Sequence, residues 1–532
     1  MSVFQALLIA IFYYIGTGPV PFGSMGNWAT INRPLVMGWI VGIILGDPVK
    51  GTIIGATINI IYLGFISAGG TLPSDSGMAG TFGTAFALVG GLDPNAAMAL
   101  AIPMGTLGSL LWVVTMTYQS FFVRIADKWI EEGRDDRMLL IDYIIPHGIK
   151  CVARIAYAFA GLYYGSSVIT KLVDMIQGPI LDALSVMGGV LPAVGIAMML
   201  TMIFTGKARV YFFIGFLLSS FLNVGVIPAV LLFTCVAILV VGFDENDMDA
   251  FKAVQTNDTA FKVITKKDLI HGWVRWELFC ESLYNYERMQ GIGFVTGMVP
   301  ILRKTTGGDK QKMIDGLKLH SMFFNCDHDF GGAILGVCAA MEEQKALGAE
   351  IPDQAFISLK TGLMGPCSGI GDTLSQVVLL PIVSVIFINL ALKGATWAPL
   401  AYTVIFLAIF YGVGYLYLMV GYKSGGEAII KLIGSNLFHK VIEIANIVGC
   451  GVAGAMITMY VSFNWNVEML ENDIPVFNLQ KDLFDALVPG LMPLLITLGI
   501  YYALKKGKKV WAIMVVLMVV TFVLGLLGLA SS

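Results

Sequence analysis

Five stretches of the chain, residues 96–118, 211–242, 397–420, 484–504 and 510–529, are apolar over about the 20 residues that a helix needs to cross a bilayer. Other apolar stretches are too short or are interrupted by Gly and Pro: Pro34 to Gly46, Gly51 to Ala68, Gly188 to Gly206, Ile292 to Leu302, and the run around Met364-Gly365-Pro366. Lipid leaves unpaired backbone groups unsatisfied, so interrupted segments at membrane depth must be buried in protein or line a watery cavity. The pattern predicts an all-α membrane protein, a multi-span helical transporter with broken helices and re-entrant hairpins.

One long polar interval, Asp244 to Gln290, carries fifteen charged residues and divides the chain into two membrane units. Within it, Asp268 to Met289 reads as an amphipathic helix with Leu269, Trp273, Trp276, Cys280 and Leu283 on one face. Such a helix lies in the membrane interface or docks on the cytoplasmic side of the protein. Lys505, Lys506, Lys508 and Lys509 place the loop before the last span in the cytoplasm. The loop from Arg124 to Arg137 and the central interval are assigned to the same side.

Composition agrees with this pattern and excludes other classes. Of 532 residues, 57% are hydrophobic and 13% charged, against about 25% charged in soluble domains. The net charge of −3 and the lack of a basic stripe exclude a nucleic-acid partner. The seven Cys show no paired or zinc-type spacing and read as small buried hydrophobes. No nucleotide-binding, dinucleotide or metalloprotease motif is present, so neither a cofactor nor an energy source within the chain is expected.

Ionisable and polar groups within apolar, Gly-rich sequence are the functional candidates. In the first unit these are Asp47, Asn59 and the group Thr71-Leu72-Pro73-Ser74-Asp75. Asp47 precedes Pro48 and reads as a helix N-cap. Asp75 follows a broken segment, where its carboxylate either meets the hydroxyls of a solute or caps the next helix. In the second unit, Met364 to Thr373 reads as a flexible Gly-rich loop ending in Asp372-Thr373. Upstream, Asn325-Cys326-Asp327-His328-Asp329 forms a polar cluster. His328 between two Asp has no third ligand at a diagnostic spacing, so the cluster is read as hydrogen-bonding or capping, not as a metal site. Glu342-Glu343-Gln344-Lys345 reads as the solvated end of a helix.

At these residues the sequence resembles the membrane components of the mannose-type sugar phosphotransferase system, enzymes IIC and IID. The second unit is similar to IID through Asn285-Tyr286-Glu287-Arg288-Met289-Gln290, Phe323-Phe324-Asn325, Ile334-Leu335-Gly336-Val337, Glu342-Glu343-Gln344, Gly362-Leu363-Met364-Gly365-Pro366 and Gly369-Ile370-Gly371-Asp372. The first is similar to IIC through Arg33-Pro34-Leu35, Val41 to Asp47, Ile53 to Thr57, Pro73, Asp75 and Ala99 to Pro103. The resemblance implies a IIC-like unit over 1–243, a cytoplasmic linker over 244–264 and a IID-like unit over 265–532. It implies a permease of the bacterial inner membrane that binds a hexose or related sugar and carries it inward. Phosphorylation would come from separate cytoplasmic IIA and IIB phosphocarrier proteins, the assembly would be a homotrimer, and a mobile domain would carry the sugar in an elevator motion. Phosphoryl transfer needs a carboxylate that takes the hydroxyl proton, and Asp75 is the first candidate, Asp372 the second. Asn59, Thr71, Ser74, Asp75, Asn325, Asp327, His328 and Gln376 are expected to bind substrate.

The sequence departs from the family pattern where Asn59 replaces a Glu, His328 stands where a Pro is usual, Ser375-Gln376-Val377 replaces Phe-Trp-Gly, and Leu380 replaces an Arg. The gain of acidic groups points to an amine-bearing sugar. The competing reading is a secondary transporter or facilitator that moves its sugar unmodified.

Overall fold

A computed structural model describes residues 1–65, 67, 72, 74–175, 179–242, 262–433, 436–471 and 474–531. The first half places helices α1 (Val3–Thr17), α2 (Gly23–Ala29), α3 (Pro34–Leu45), α4 (Pro48–Ile61), α5 (Ser76–Gly90), α6 (Pro94–Glu131) and α7 (Ile145–Met175) around its polar residues. These are followed by α8 (Pro179–Val190), α9 (Pro192–Ile203), α10 (Ala208–Leu222) and α11 (Val226–Val241). The second half contains α12 (Lys266–Phe279), α13 (Gly291–Thr305), α14 (Lys310–His320), α15 (His328–Ala346), α16 (Asp353–Asp372), α17 (Leu380–Leu392), α18 (Ala398–Ile433), α19 (Asn436–Tyr460), α20 (Leu491–Lys505) and α21 (Val510–Leu526). Short antiparallel pairs join Asn464–Trp465 to Ala530–Ser531 and Glu468–Glu471 to Ile474–Asn478.

Among the described residues, four helical segments are long and apolar enough to cross a membrane: Pro94–Glu131, Asp182–Thr201, Asp353–Leu392 and Ala398–Lys423. The bent pairs Gly23–Ala29 with Pro34–Leu45 (76°) and Leu479–Leu487 with Leu491–Lys505 (72°) are two further broken elements. Several expectations fail in detail. Residues 211–242 do not form one span, because α10 ends at Asn223, whose left-handed backbone (φ 51°) breaks the hydrogen-bond ladder before α11 begins. Met364 to Asp372 is not a loop, since α16 runs through it. The missing N–H of Pro366 is tolerated, and the ladder re-forms as a π turn over Thr373–Leu379 that leads into α17.

α12 is shorter than the sequence suggests and ends at Phe279. Its apolar face, with Leu269, Trp273 and Trp276 buried, packs within the second half, and the Trp276 indole donates to the His328 carbonyl at 2.8 Å. It is docked on protein, the second of the two readings. Glu342 and Glu343 are likewise not solvated. Glu342 Oε1 lies 3.0 Å from His320 Nε2, and Glu343 Oε1 accepts the backbone N–H groups of Lys262, Val263 and Ile264 at 2.9, 2.7 and 3.0 Å, while its other oxygen accepts the Tyr422 hydroxyl. Buried polar donors require such acceptors, so these acids pin the start of the second half to its core.

The two halves share one hydrophobic core, in which Phe212 and Phe216 of α10 cluster with Ile457 and Val452 of α19. Small residues allow this approach: a Cβ on Gly454 would lie 2.0 Å from the Phe212 carbonyl oxygen, and one on Gly215 would lie 1.9 Å from that of Gly451. Gly454→Leu is therefore expected to separate α10 from α19 and to abolish monodisperse protein in size-exclusion chromatography; a wild-type elution profile would refute this packing role. Polar links add to the joint, with Arg288 Nη2 2.8 Å from Asp127 Oδ1 and Gln119 donating to the Ser282 carbonyl at 2.9 Å.

Candidate functional site

Where the two halves meet, they enclose a cavity with about 90 Å³ of room for the centres of water molecules, enough for roughly six to nine waters. From the first half it is lined by Asp75, Lys150, Arg154, Trp28 and Trp112, and from the second by Glu281, Tyr284, Gln290, Asn325, Asp327, His328, Asp372 and Gln376.

Asp75 caps a helix, as one sequence reading had it, and also lines the cavity. As the N-cap of α5 its Oδ1 accepts the Met78 N–H at 2.9 Å, its Oδ2 accepts the Tyr13 hydroxyl at 2.9 Å, and it still lines the cavity. Lys150 and Arg154, one turn apart on α7, share a helix face. The Lys150 ammonium donates to the Thr17 carbonyl at 3.0 Å, and Arg154 Nη1 has no hydrogen-bond partner among the described residues.

The opposite wall is organised by the start of α15 and the π turn. Asp327 caps α15, accepting the Asp329 and Phe330 N–H groups at 3.1 and 3.3 Å through Oδ1, and its Oδ2 lies 3.0 Å from the Ser375 hydroxyl. This proximity needs glycine at 371, where a Cβ would come within 2.3 Å of Asp327 Cγ. On the π turn, Gln376 donates to Asp372 Oδ1 at 2.8 Å and accepts the Ser67 N–H at 2.8 Å, tying the first half to the second at the cavity wall. Tyr284 donates to Asn325 Oδ1 at 2.7 Å, and Gln290 accepts the Cys326 N–H at 2.8 Å. A π turn inside a long helix is a frequent mark of a functional position, and here it aims Gln376 at the cavity.

Six of the residues singled out in the sequence thus meet in one place: Asp75, Asn325, Asp327, His328, Asp372 and Gln376. Asn59 and Ser74 do not line the cavity. Asn59 is buried between α3 and α4, where its Oδ1 accepts the Leu35 N–H at 3.3 Å, and Ser74 Oγ lies 3.1 Å from the Tyr62 hydroxyl beside Asp75. Thr71 lies outside the described residues. Asp47 caps α4, accepting the Lys50 N–H at 2.9 Å. Sequence reasoning missed Lys150, Arg154, Glu281, Tyr284 and Gln290. Two cations four residues apart in the largely apolar run of α7 were a usable signal for the first pair.

Chemically, this wall of carboxylates and amides accepts and donates hydrogen bonds to hydroxyls, and Trp28 and Trp112 offer apolar faces to ring C–H groups.

Residues 263–530 match the family described as PTS system mannose/fructose/sorbose family IID component, and residues 3–239 match that described as PTS system sorbose-specific IIC component. The mannose-specific EIID component of Escherichia coli K12 is 33% identical over 290 residues, covering 52% of this chain and 97% of the relative. The mannose-specific EIIC component of the same organism is 29% identical over 220 residues, covering 41% of this chain and 82% of the relative. A chain in the solved complex of the mannose transporter ManYZ with microcin E492 is 31% identical over 50% of this chain and 98% of its own, with a TM-score of 0.30. With both components present in order along one polypeptide, the chain belongs to the mannose/fructose/sorbose family of the sugar phosphotransferase system as a fusion of IIC and IID.

Proposed function

We propose that this protein is the sugar permease of a mannose-family phosphotransferase system, a multi-pass protein of the bacterial inner membrane that takes up a hexose or amino sugar coupled to its phosphorylation by separate IIA and IIB proteins. The observation that carries this reading is the cavity between the halves: Asp75 comes from one and Asp327, Asp372 and Gln376 from the other, so neither encloses the site alone. In this reading residues 1–243 form the IIC unit, 244–264 the cytoplasmic linker and 265–532 the IID unit. Three copies assemble in the lipid bilayer, and one part of each carries the sugar past the other in an elevator motion.

The transfer step would run in line. The sugar hydroxyl oxygen attacks the phosphorus of a phosphohistidine on IIB, the P–O bond forms as the N–P bond breaks, and the hydroxyl proton passes to a carboxylate of the cavity. In this reading Asp75 or Asp372 takes it.

Vesicles containing this protein test the reading. Uptake of labelled sugar is expected only when IIA, IIB and a phosphoryl donor are supplied inside, and the sugar recovered is expected to be phosphorylated. Accumulation of free sugar without IIB would instead establish the facilitator.

A further inference from the structure

The cations that line the cavity come from one half. Among the described residues its Lys and Arg, Lys150 and Arg154, belong to the first half with Asp75 beside them, and the second half contributes Glu281, Asp327, Asp372 and His328. At the cationic pole, Lys150 and Arg154 are each 5% exposed. Asp75 beside them, its oxygens bonded by the Met78 N–H and the Tyr13 hydroxyl, offsets one of their two positive charges. Arg154 Nη1 has no hydrogen-bond partner among the described residues, and Lys150 donates to the Thr17 carbonyl.

At the anionic pole, Glu281 Oε1 lies 3.9 Å from His328 Nε2, beyond hydrogen-bond distance. His328 is 2% exposed with that nitrogen unpartnered among the described residues. Immediately behind this wall both oxygens of Glu277 and Oδ1 of Asp329 are buried without hydrogen-bond partners, and the two side chains converge on Gly414. Buried charges without partners are costly. A neutral hexose supplies dipoles only and leaves the surplus positive charge of one pole and the carboxylates of the other without a charged partner.

We propose that the substrate of this cavity is a zwitterionic sugar derivative, a hydroxylated ring or chain bearing both a carboxylate and an ammonium group. The carboxylate sits against Arg154 and Lys150, and the ammonium against Glu281 and Asp372. The hydroxyls meet Asn325, Gln376 and Asp75. This rests on the permease reading above and sharpens its substrate class. A phosphoryl group would satisfy the cationic pole as well as a carboxylate, so the test includes both.

The purified full chain in detergent or nanodiscs is titrated with mannose, glucosamine, glucuronate, mannose 6-phosphate, and two zwitterions, muramic acid and fructosylglycine, following tryptophan fluorescence from Trp28 and Trp112 and calorimetric heat. At least one zwitterion is expected to bind ten times or more tightly than every other compound. Arg154→Gln is expected to bring the ratio of zwitterion to mannose affinity to within twofold, and Arg154→Lys to restore it. Mannose or glucosamine binding as tightly as both zwitterions would overturn the proposal, as would mannose 6-phosphate binding best. In either case phosphorylation-linked uptake of the preferred sugar would leave the permease reading standing. Binding of no sugar, together with no uptake in the presence of IIB, would remove both.

Discussion

Asp75→Asn is expected to lower phosphorylation-linked uptake at least about a hundredfold, the scale of a lost general base, while the protein still folds and inserts. Asn serves as an N-cap about as well as Asp, so the bond from the Met78 N–H to the side chain at position 75 survives the change. What disappears is the carboxylate charge beside Tyr13, Lys150 and Arg154 and its capacity to hold a proton. Asp75→Ala removes the cap as well and is expected to cost about a further 1 kcal/mol of stability. Uptake by Asp75→Asn within threefold of wild type, at equal membrane content, would take Asp75 out of the mechanism and leave Asp372 as the remaining candidate.

The largest expected effect on stability comes from a residue remote from the cavity. Glu343→Ala leaves three consecutive backbone donors, those of Lys262, Val263 and Ile264, without their shared acceptor and strands the Tyr422 hydroxyl. Each hydrogen bond to a charged acceptor contributes about 1.5 to 3 kcal/mol, so a loss of about 3 kcal/mol or more is expected even if water replaces part of the network. The readout is the temperature at which half the protein leaves the monodisperse peak after heating. Glu343→Gln, which keeps one carbonyl acceptor, should fall between the two. An unchanged midpoint in the alanine variant would show that the entry to the second half is held elsewhere.

Both results turn on residues whose identity was plain in the sequence and whose surroundings were not. Glu342 and Glu343 at the end of a helix have the composition of a solvated terminus. Only the fold brings His320 and the 262–264 backbone onto them. Met364-Gly365-Pro366 reads as a loop because Gly and Pro weaken helices in water. In a packed segment the same residues stay helical, and the cost is absorbed in the π turn that carries Ser375 and Gln376. Asn223 broke an apolar run that hydrophobicity alone treats as continuous. Lys150 and Arg154 were visible as an i, i+4 pair, but a helix face says nothing about which partner it meets.

By itself the sequence determined that this chain lives in lipid, that it is helical with interrupted segments, that it comprises two membrane units, and that the rare polar groups within apolar stretches include Asp75, Asp327 and Asp372. Those properties follow from local hydrophobicity, spacing and turn chemistry, which act over a few residues. The tertiary structure decided that Asp75 of the first half faces Asp327 and Asp372 of the second, that Gln376 joins the halves through Ser67, and that Asn59 stays outside the cavity. It also decided that Lys150 and Arg154 stand beside Asp75 on one wall and face the carboxylates Glu281, Asp327 and Asp372 on the other. Contacts between residues hundreds of positions apart depend on how helices pack against one another, through close approaches such as Gly454 on Phe212, and no local pattern specifies them.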